Sequence, residues 1–112
     1  MQISDLVFTG FNRRVAALDR TTGEIVWQWK ADEGMKYVTL LLDGDVLIVS
    51  VDGYMYGLEA LSGVQLWSNP MPGCGTGVAS LASVRGGSQS PMAAAEADAA
   101  AAAATTPGAG GP

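Results

Sequence analysis

The chain repeats itself. Residues 6–30 read LVFTGFNRRVAALDRTTGEIVWQWK, and residues 46–70, forty positions on, read VLIVSVDGYMYGLEALSGVQLWSNP. The offset is ungapped: Leu18 falls on Leu58, Gly23 on Gly63 and Trp27 on Trp67. Each copy consists of short β-type runs separated by turn residues. A period near 40 residues built that way is how propeller blades, each a four-stranded sheet, appear in sequence. Two blades do not close a ring. Either the chain is a piece of a larger propeller, or several copies assemble into one.

The strands can be read in order. Residues 3–10 are apolar and β-prone, and Asn12-Arg13 makes a tight turn into a strand over 15–19. Residues 20–23 form the next turn, with Gly23 free to take a positive φ. Residues 24–30 form a third strand, in which Ile25, Trp27 and Trp29 share a face. After a polar loop at 31–36, residues 37–42 are a nearly continuous apolar run, as expected of a strand buried on both faces. Asp43-Gly44-Asp45 turns into a strand over 46–51. Asp52-Gly53 is a two-residue hairpin signal leading to a strand over 54–59. A turn at 60–63 and a strand over 64–68 follow. Residues 69–75 hold two prolines and two glycines and read as loop. Residues 77–84 read as a last strand.

With the strands of a blade named a to d from the centre outward, the expected fold is all-β, with two four-stranded propeller blades per chain. Their offset order is b-c-d/a-b-c-d/a. The first blade lacks its a strand, and the last a strand lacks its blade. Unpaired edges are templates for pairing, and these two are complementary, so the terminal a strand of one copy can complete the first blade of the next. That head-to-tail contact closes a ring if the rotation closes: four blades as a dimer, six as a trimer, eight as a tetramer. The expected partner is the chain itself, as a homo-oligomer.

Composition divides the chain into a repeat domain over 1–85 and an Ala/Gly/Pro-rich tail over 86–112. The tail is expected to be disordered or partly helical, because it has no apolar stripe beyond alanine. The net charge is −5, and residues 1–85 carry nine acids against six bases. No basic stripe forms, which argues against nucleic acid as a partner. No apolar run reaches the length of a membrane span. No leader is legible, so the expected location is cytoplasmic; a fragment of an exported protein would read the same way.

Residues 17–27, ALDRTTGEIVW, fit A-x-D-x-x-T-G-x-x-x-W through Ala17, Asp19, Thr22, Gly23 and Trp27. This resembles the tryptophan-docking motif of the quinoprotein-like (PQQ-binding-like) β-propeller repeat family. Residues 57–67, GLEALSGVQLW, are a degenerate second copy, with Gly57, Glu59, Ser62, Gly63 and Trp67 at the same positions. The resemblance covers residues 6 to 84. It implies that each tryptophan ties one blade to the next, and it favours eight blades, hence a tetramer. It does not imply PQQ, since many members bind no cofactor, outer-membrane assembly factors among them. Bulk and rigidity suit tryptophan to a blade-to-blade wedge. Trp29 has no counterpart, because Asn69 takes its place.

Little in the sequence carries chemistry. With no histidine, Ser-His-Asp and Cys-His machinery is absent. PQQ dehydrogenases of the resembled family use a vicinal cysteine pair, a Ca2+ site and a catalytic Asp. The single Cys74 cannot supply the pair, so PQQ is not expected as a cofactor and no catalytic or metal site is assigned. Asp43, Asp45 and Asp52 read as hairpin residues rather than Ca2+ ligands, because their turns lie at opposite ends of a blade. Asn12, Arg13, Asp32, Glu33, Lys36, Asp52, Met71 and Cys74 are expected around one channel mouth. Arg13, Asp32, Lys36 and Cys74 are the candidate binding residues there, and a solvated loop rim is the plainer reading. Three functions follow: a non-catalytic scaffold or binding platform that assembles into a propeller, a small-molecule or enzymatic site formed in the ring, or a fragment of a larger propeller.

Overall fold

The computed structural model describes residues 1–86; the tail assigned to 86–112 lies outside them from residue 87. The described chain is all-β apart from one 3₁₀ turn over Ile3–Asp5, where the Gln2 amide donates to the Asp5 carboxylate at 2.8 Å. Seven strands follow: β1 (Leu6–Phe11), β2 (Arg14–Asp19), β3 (Ile25–Lys30), β4 (Val38–Asp43), β5 (Val46–Val51), β6 (Tyr54–Glu59) and β7 (Gln65–Asn69). They form two antiparallel meanders, a three-stranded sheet β1-β2-β3 and a four-stranded sheet β4-β5-β6-β7, consistent with propeller blades.

Each turn follows from its residues. Asn12 and Arg13 both take positive φ (49° and 71°), as a two-residue hairpin in a right-twisted ribbon demands. Asp52 (53°) and Gly53 (94°) do the same one repeat later. The pairing registers repeat as well: Ala17 opposes Trp27 as Gly57 opposes Trp67, and each sheet shifts register just beyond that pair.

That shift corrects one expectation. Leu18 pairs with Ile25, while Ala17 pairs with Trp27, so Val26 is an extra residue in the ladder. Such a bulge breaks strict alternation. Ile25 is therefore exposed rather than sharing the buried face of Trp27 and Trp29.

The core lies between the two sheets. Leu6, Val15, Ala17 and Trp27 meet Leu47, Val49, Val51, Tyr56, Leu58 and Ala60. A side chain at Gly10 would strike Val38, so β1 and β4 approach closely. The far face of the second sheet carries Thr39, Leu41, Ile48, Ser50, Met55, Gly57 and Trp67, as the pairing registers require.

Residues 77–84 form no ladder, contrary to the expected last strand. A strand is stabilised by a paired neighbour, and within this chain the segment has none. It packs instead on the far face of the second sheet. The Gly77 amide donates to the Asp52 carbonyl at 3.3 Å, Leu81 is buried, and Gly86 sits against Leu41.

Candidate functional site

The two sheets are joined by a tryptophan. Trp27 on β3 reaches across to the β6–β7 turn, where its Nε1–H donates to the Ala60 carbonyl at 2.9 Å. The indole lies over Gly63, whose φ of 77° and missing side chain leave the space the ring takes; a Cβ there would stand 2.5 Å from Trp27 Cδ2. Phe8 packs against the indole at a tilt, ring centres 6.0 Å apart. Only 9% of Trp27 is exposed, against 41% of Trp67. Trp67 rests over Gly57 within its own sheet.

The remaining motif residues shape the two turns. The Asp19 carboxylate accepts the Thr21 and Thr22 amides at 2.8 and 3.1 Å, and the Thr22 hydroxyl accepts the Glu24 amide at 3.2 Å. In the second repeat, the Ser62 hydroxyl donates to Glu59 Oε1 at 2.6 Å and accepts the Val64 amide at 3.2 Å. Both turns close with the glycine amide on the carbonyl of the acidic residue, Gly23 on Asp19 and Gly63 on Glu59, at 2.8 Å each. The second copy thus keeps the turn with different side chains.

At one end of the sheets the β1–β2 and β5–β6 hairpins meet the loops that follow β3 and β7. Arg13 donates through Nε to the Ala31 carbonyl at 2.7 Å and through an Nη to the Asp32 carbonyl at 3.0 Å. From the other side, the Asp52 carboxylate accepts the Met35, Lys36 and Tyr37 amides at 2.6, 3.2 and 3.2 Å. Partial burial pushes the Asp52 pKa up. The three amides and the Lys36 charge outweigh it, and the carboxyl lies below its ordinary value of 3.8. Asp32 and Lys36 enter these contacts through backbone atoms. Cys74 is exposed, with its amide on the Met71 carbonyl.

Two residues here carry more than their sequence suggested. Tyr56 points its hydroxyl at Glu33, accepting from its amide and donating to its carbonyl at 3.0 Å each. Burial and the nearby Glu33 and Asp32 carboxylates raise its pKa above 10.0, although the bond to Glu33 opposes them. Trp29 meets Tyr56 edge-on, centroids 4.8 Å apart, and donates to Gln65 Oε1 at 3.2 Å. Both contacts cross between distant strands, so no local pattern announced them.

Arg13, Asp52 and Tyr56 thus spend their polar groups on the loop between the sheets. Among the described residues, no group of three His, Cys, Asp or Glu stands together as a metal cluster requires. The lone, exposed Cys74 does not fit the cysteine pair of a PQQ dehydrogenase. A cavity of about 510 Å3 lies between Trp67, Met55 and residues 77–81. Among the described residues, its lining offers no acid, base or nucleophile except the Cys74 thiol and the hydroxyls of Thr76 and Ser80.

Repeated antiparallel meanders, packed face to face with a tryptophan between them, are consistent with the blades of a propeller-repeat protein. A family model described as outer membrane protein assembly factor BamB matches residues 4–108, and the chain belongs to this family of PQQ-like propeller-repeat proteins. A search of curated proteins returned no match to the chain. No helix among the described residues is long and apolar enough to cross a membrane.

Proposed function

We propose that this chain is a non-catalytic β-propeller scaffold that completes itself with further copies, eight blades as a tetramer being favoured over six as a trimer or four as a dimer. One observation carries the reading: the first sheet has three strands where the second has four, and residues 77–84, in repeat register with β4, lie without a ladder. In a ring, that segment adds to the open β1 edge of the next copy as the missing a strand. The a strand thus passes between copies, and the first blade of each copy gains its fourth member. The tryptophan, turn and glycine residues of the two motifs are then blade-docking elements.

The assembled ring offers the loop end, with Arg13, Asp32, Lys36 and Cys74 repeated around an axis, as a binding platform. The family description, which concerns outer membrane protein assembly, supports a role in holding other proteins over one in catalysis. The native mass in solution tests the assembly. A sharp multiple of the 11.5 kDa protomer that is lost on deleting residues 77–84 is the expected result. An oligomer unchanged by the deletion overturns strand addition, and a monomer makes the chain one part of a larger propeller.

A further inference from the structure

The loop between the sheets, residues 31–37, is held from both sides. The first sheet holds it through Arg13, on the Ala31 and Asp32 carbonyls. The second holds it through Asp52, whose carboxylate accepts the Met35, Lys36 and Tyr37 amides. Val51 closes on Gly34, where an added Cβ would strike its side chain and its carbonyl. Forty residues on, the loop over 71–77 rests on the second sheet alone among the described residues. The Gly77 amide reaches the Asp52 carbonyl, and the Gly75 carbonyl lies against Gly53. A Cβ at Gly73, Gly75 or Gly77 would meet nothing within 4 Å. Cys74, at the repeat position of Gly34, is exposed.

We infer that Asn12 of a second copy of this chain clasps this loop: its Oδ1 accepts amides of residues 75–77, as Asp52 accepts those of 35–37, and so sets the register in which residues 77–84 join the first sheet of that copy. Asn12 holds the repeat position of Asp52. It opens the equivalent two-residue hairpin in the same left-handed conformation, φ 49° against 53°, and it is exposed. Its side-chain carbonyl is an acceptor, the property of Asp52 that the three amides use. The difference in charge follows the surroundings. The Lys36 charge acts on Asp52, but Thr76 holds the position of Lys36 in the second loop, so a neutral acceptor brings no unpaired ion there. With the clasp made, Val78 faces Phe11 of the second copy as Val38 faces Val51 within the chain. Cys74 then comes against that Phe11 as Gly34 lies against Val51. Register matters because a slip of one residue would reverse which side chains of the segment face the core.

The inference rests on the self-assembly reading but adds to it a side-chain clasp and a register, whereas strand addition by itself needs backbone groups alone. Its test is native mass against concentration for the wild-type chain, Asn12→Gly and Asn12→Asp, together with the rate at which a maleimide modifies Cys74. Glycine takes a positive φ freely, so Asn12→Gly keeps the hairpin and removes the acceptor; Asn12→Asp keeps the acceptor. Asn12→Gly is expected to weaken assembly about tenfold and Asn12→Asp to assemble like the wild type, both with the circular dichroism of the wild type. The Cys74 thiol of the wild type is expected to react more slowly at concentrations where copies assemble than in the dilute chain. Wild-type assembly by Asn12→Gly, an equal loss in both variants, or a Cys74 that reacts at one rate throughout overturns the clasp and leaves self-assembly standing. A wild-type chain that is monomeric at every concentration overturns both readings.

Discussion

Trp27 and Gly63 occupy one space. The indole of the first sheet lies where any side chain at position 63 of the second would have to go, and its N–H reaches the Ala60 carbonyl three residues earlier at 2.9 Å. This pair is one joint between the sheets, beside the shared core and the close approach of Gly10 to Val38. The repeat-related pair, Trp67 and Gly23, stands apart, and the difference between the two pairs can be measured.

Trp27→Phe keeps most of the buried ring but leaves the Ala60 carbonyl, at a fully buried residue, without its donor. An unsatisfied buried acceptor costs about 1–3 kcal/mol. Trp67→Phe removes no hydrogen bond among the described residues and is expected to change stability by less than about 0.5 kcal/mol. Urea unfolding of the chain at low concentration separates the two; equal losses would mean that the Trp27 bond contributes nothing.

Alanine at the two turn glycines should diverge in the same way. Gly23→Ala meets open space and carries only the left-handed backbone penalty, about 1–2 kcal/mol. Gly63→Ala carries that penalty and also forces Trp27 aside, a further loss of about 1–3 kcal/mol. Thermal melts of both variants at low protein concentration check the order.

Arg13 holds a left-handed conformation (φ 71°) at the position where the second repeat has Gly53. Arg13→Gly relieves that strain but gives up the bonds to the Ala31 and Asp32 carbonyls. The two effects oppose, so the net change should stay within about 1 kcal/mol. Arg13→Ala keeps the strain and loses the bonds, and should be the worse variant by about 1 kcal/mol. Chemical denaturation of the two variants side by side decides it.

Asp52 sets an acid limb. Its carboxyl titrates below 3.8 in the folded chain because three amides and Lys36 favour the charged form over the effect of burial. A depressed folded pKa means that the contribution is complete above the unfolded value and fades as pH falls from there through the folded value. Thermal midpoints are therefore expected to drop below about pH 4 more steeply for the wild type than for Asp52→Asn, which keeps an acceptor and tolerates the φ of 53° but has no proton to gain. Parallel slopes would assign the acid limb to other carboxylates.

The sequence was most legible where the determinants are local. β5 and β6 run over the residues that the Asp43-Gly44-Asp45 and Asp52-Gly53 turns predicted, and the Asp19 and Glu59 turns close as their glycines require. It was least legible where partners lie far apart in the chain. Nothing near Tyr56 announces Glu33, 23 residues away, and nothing near Asp52 announces the three amides at 35–37. The bulge that exposes Ile25 comes from the pairing of two strands, whereas alternation along one strand is all a sequence displays. Residues 77–84 have the composition of a strand, but a strand also needs a neighbour.

By itself the sequence determined the period, the all-β class, the hairpins and the two tryptophan motifs, because alternation and turn chemistry are written within a few residues of one another. Only the tertiary structure decided which tryptophan is sheltered and which stands open. Trp27 and Trp67 sit at the same repeat position opposite a small residue, yet one meets a second sheet and the other meets none. Burial belongs to the surfaces that pack together, and a repeated local motif confers it only where a partner surface arrives.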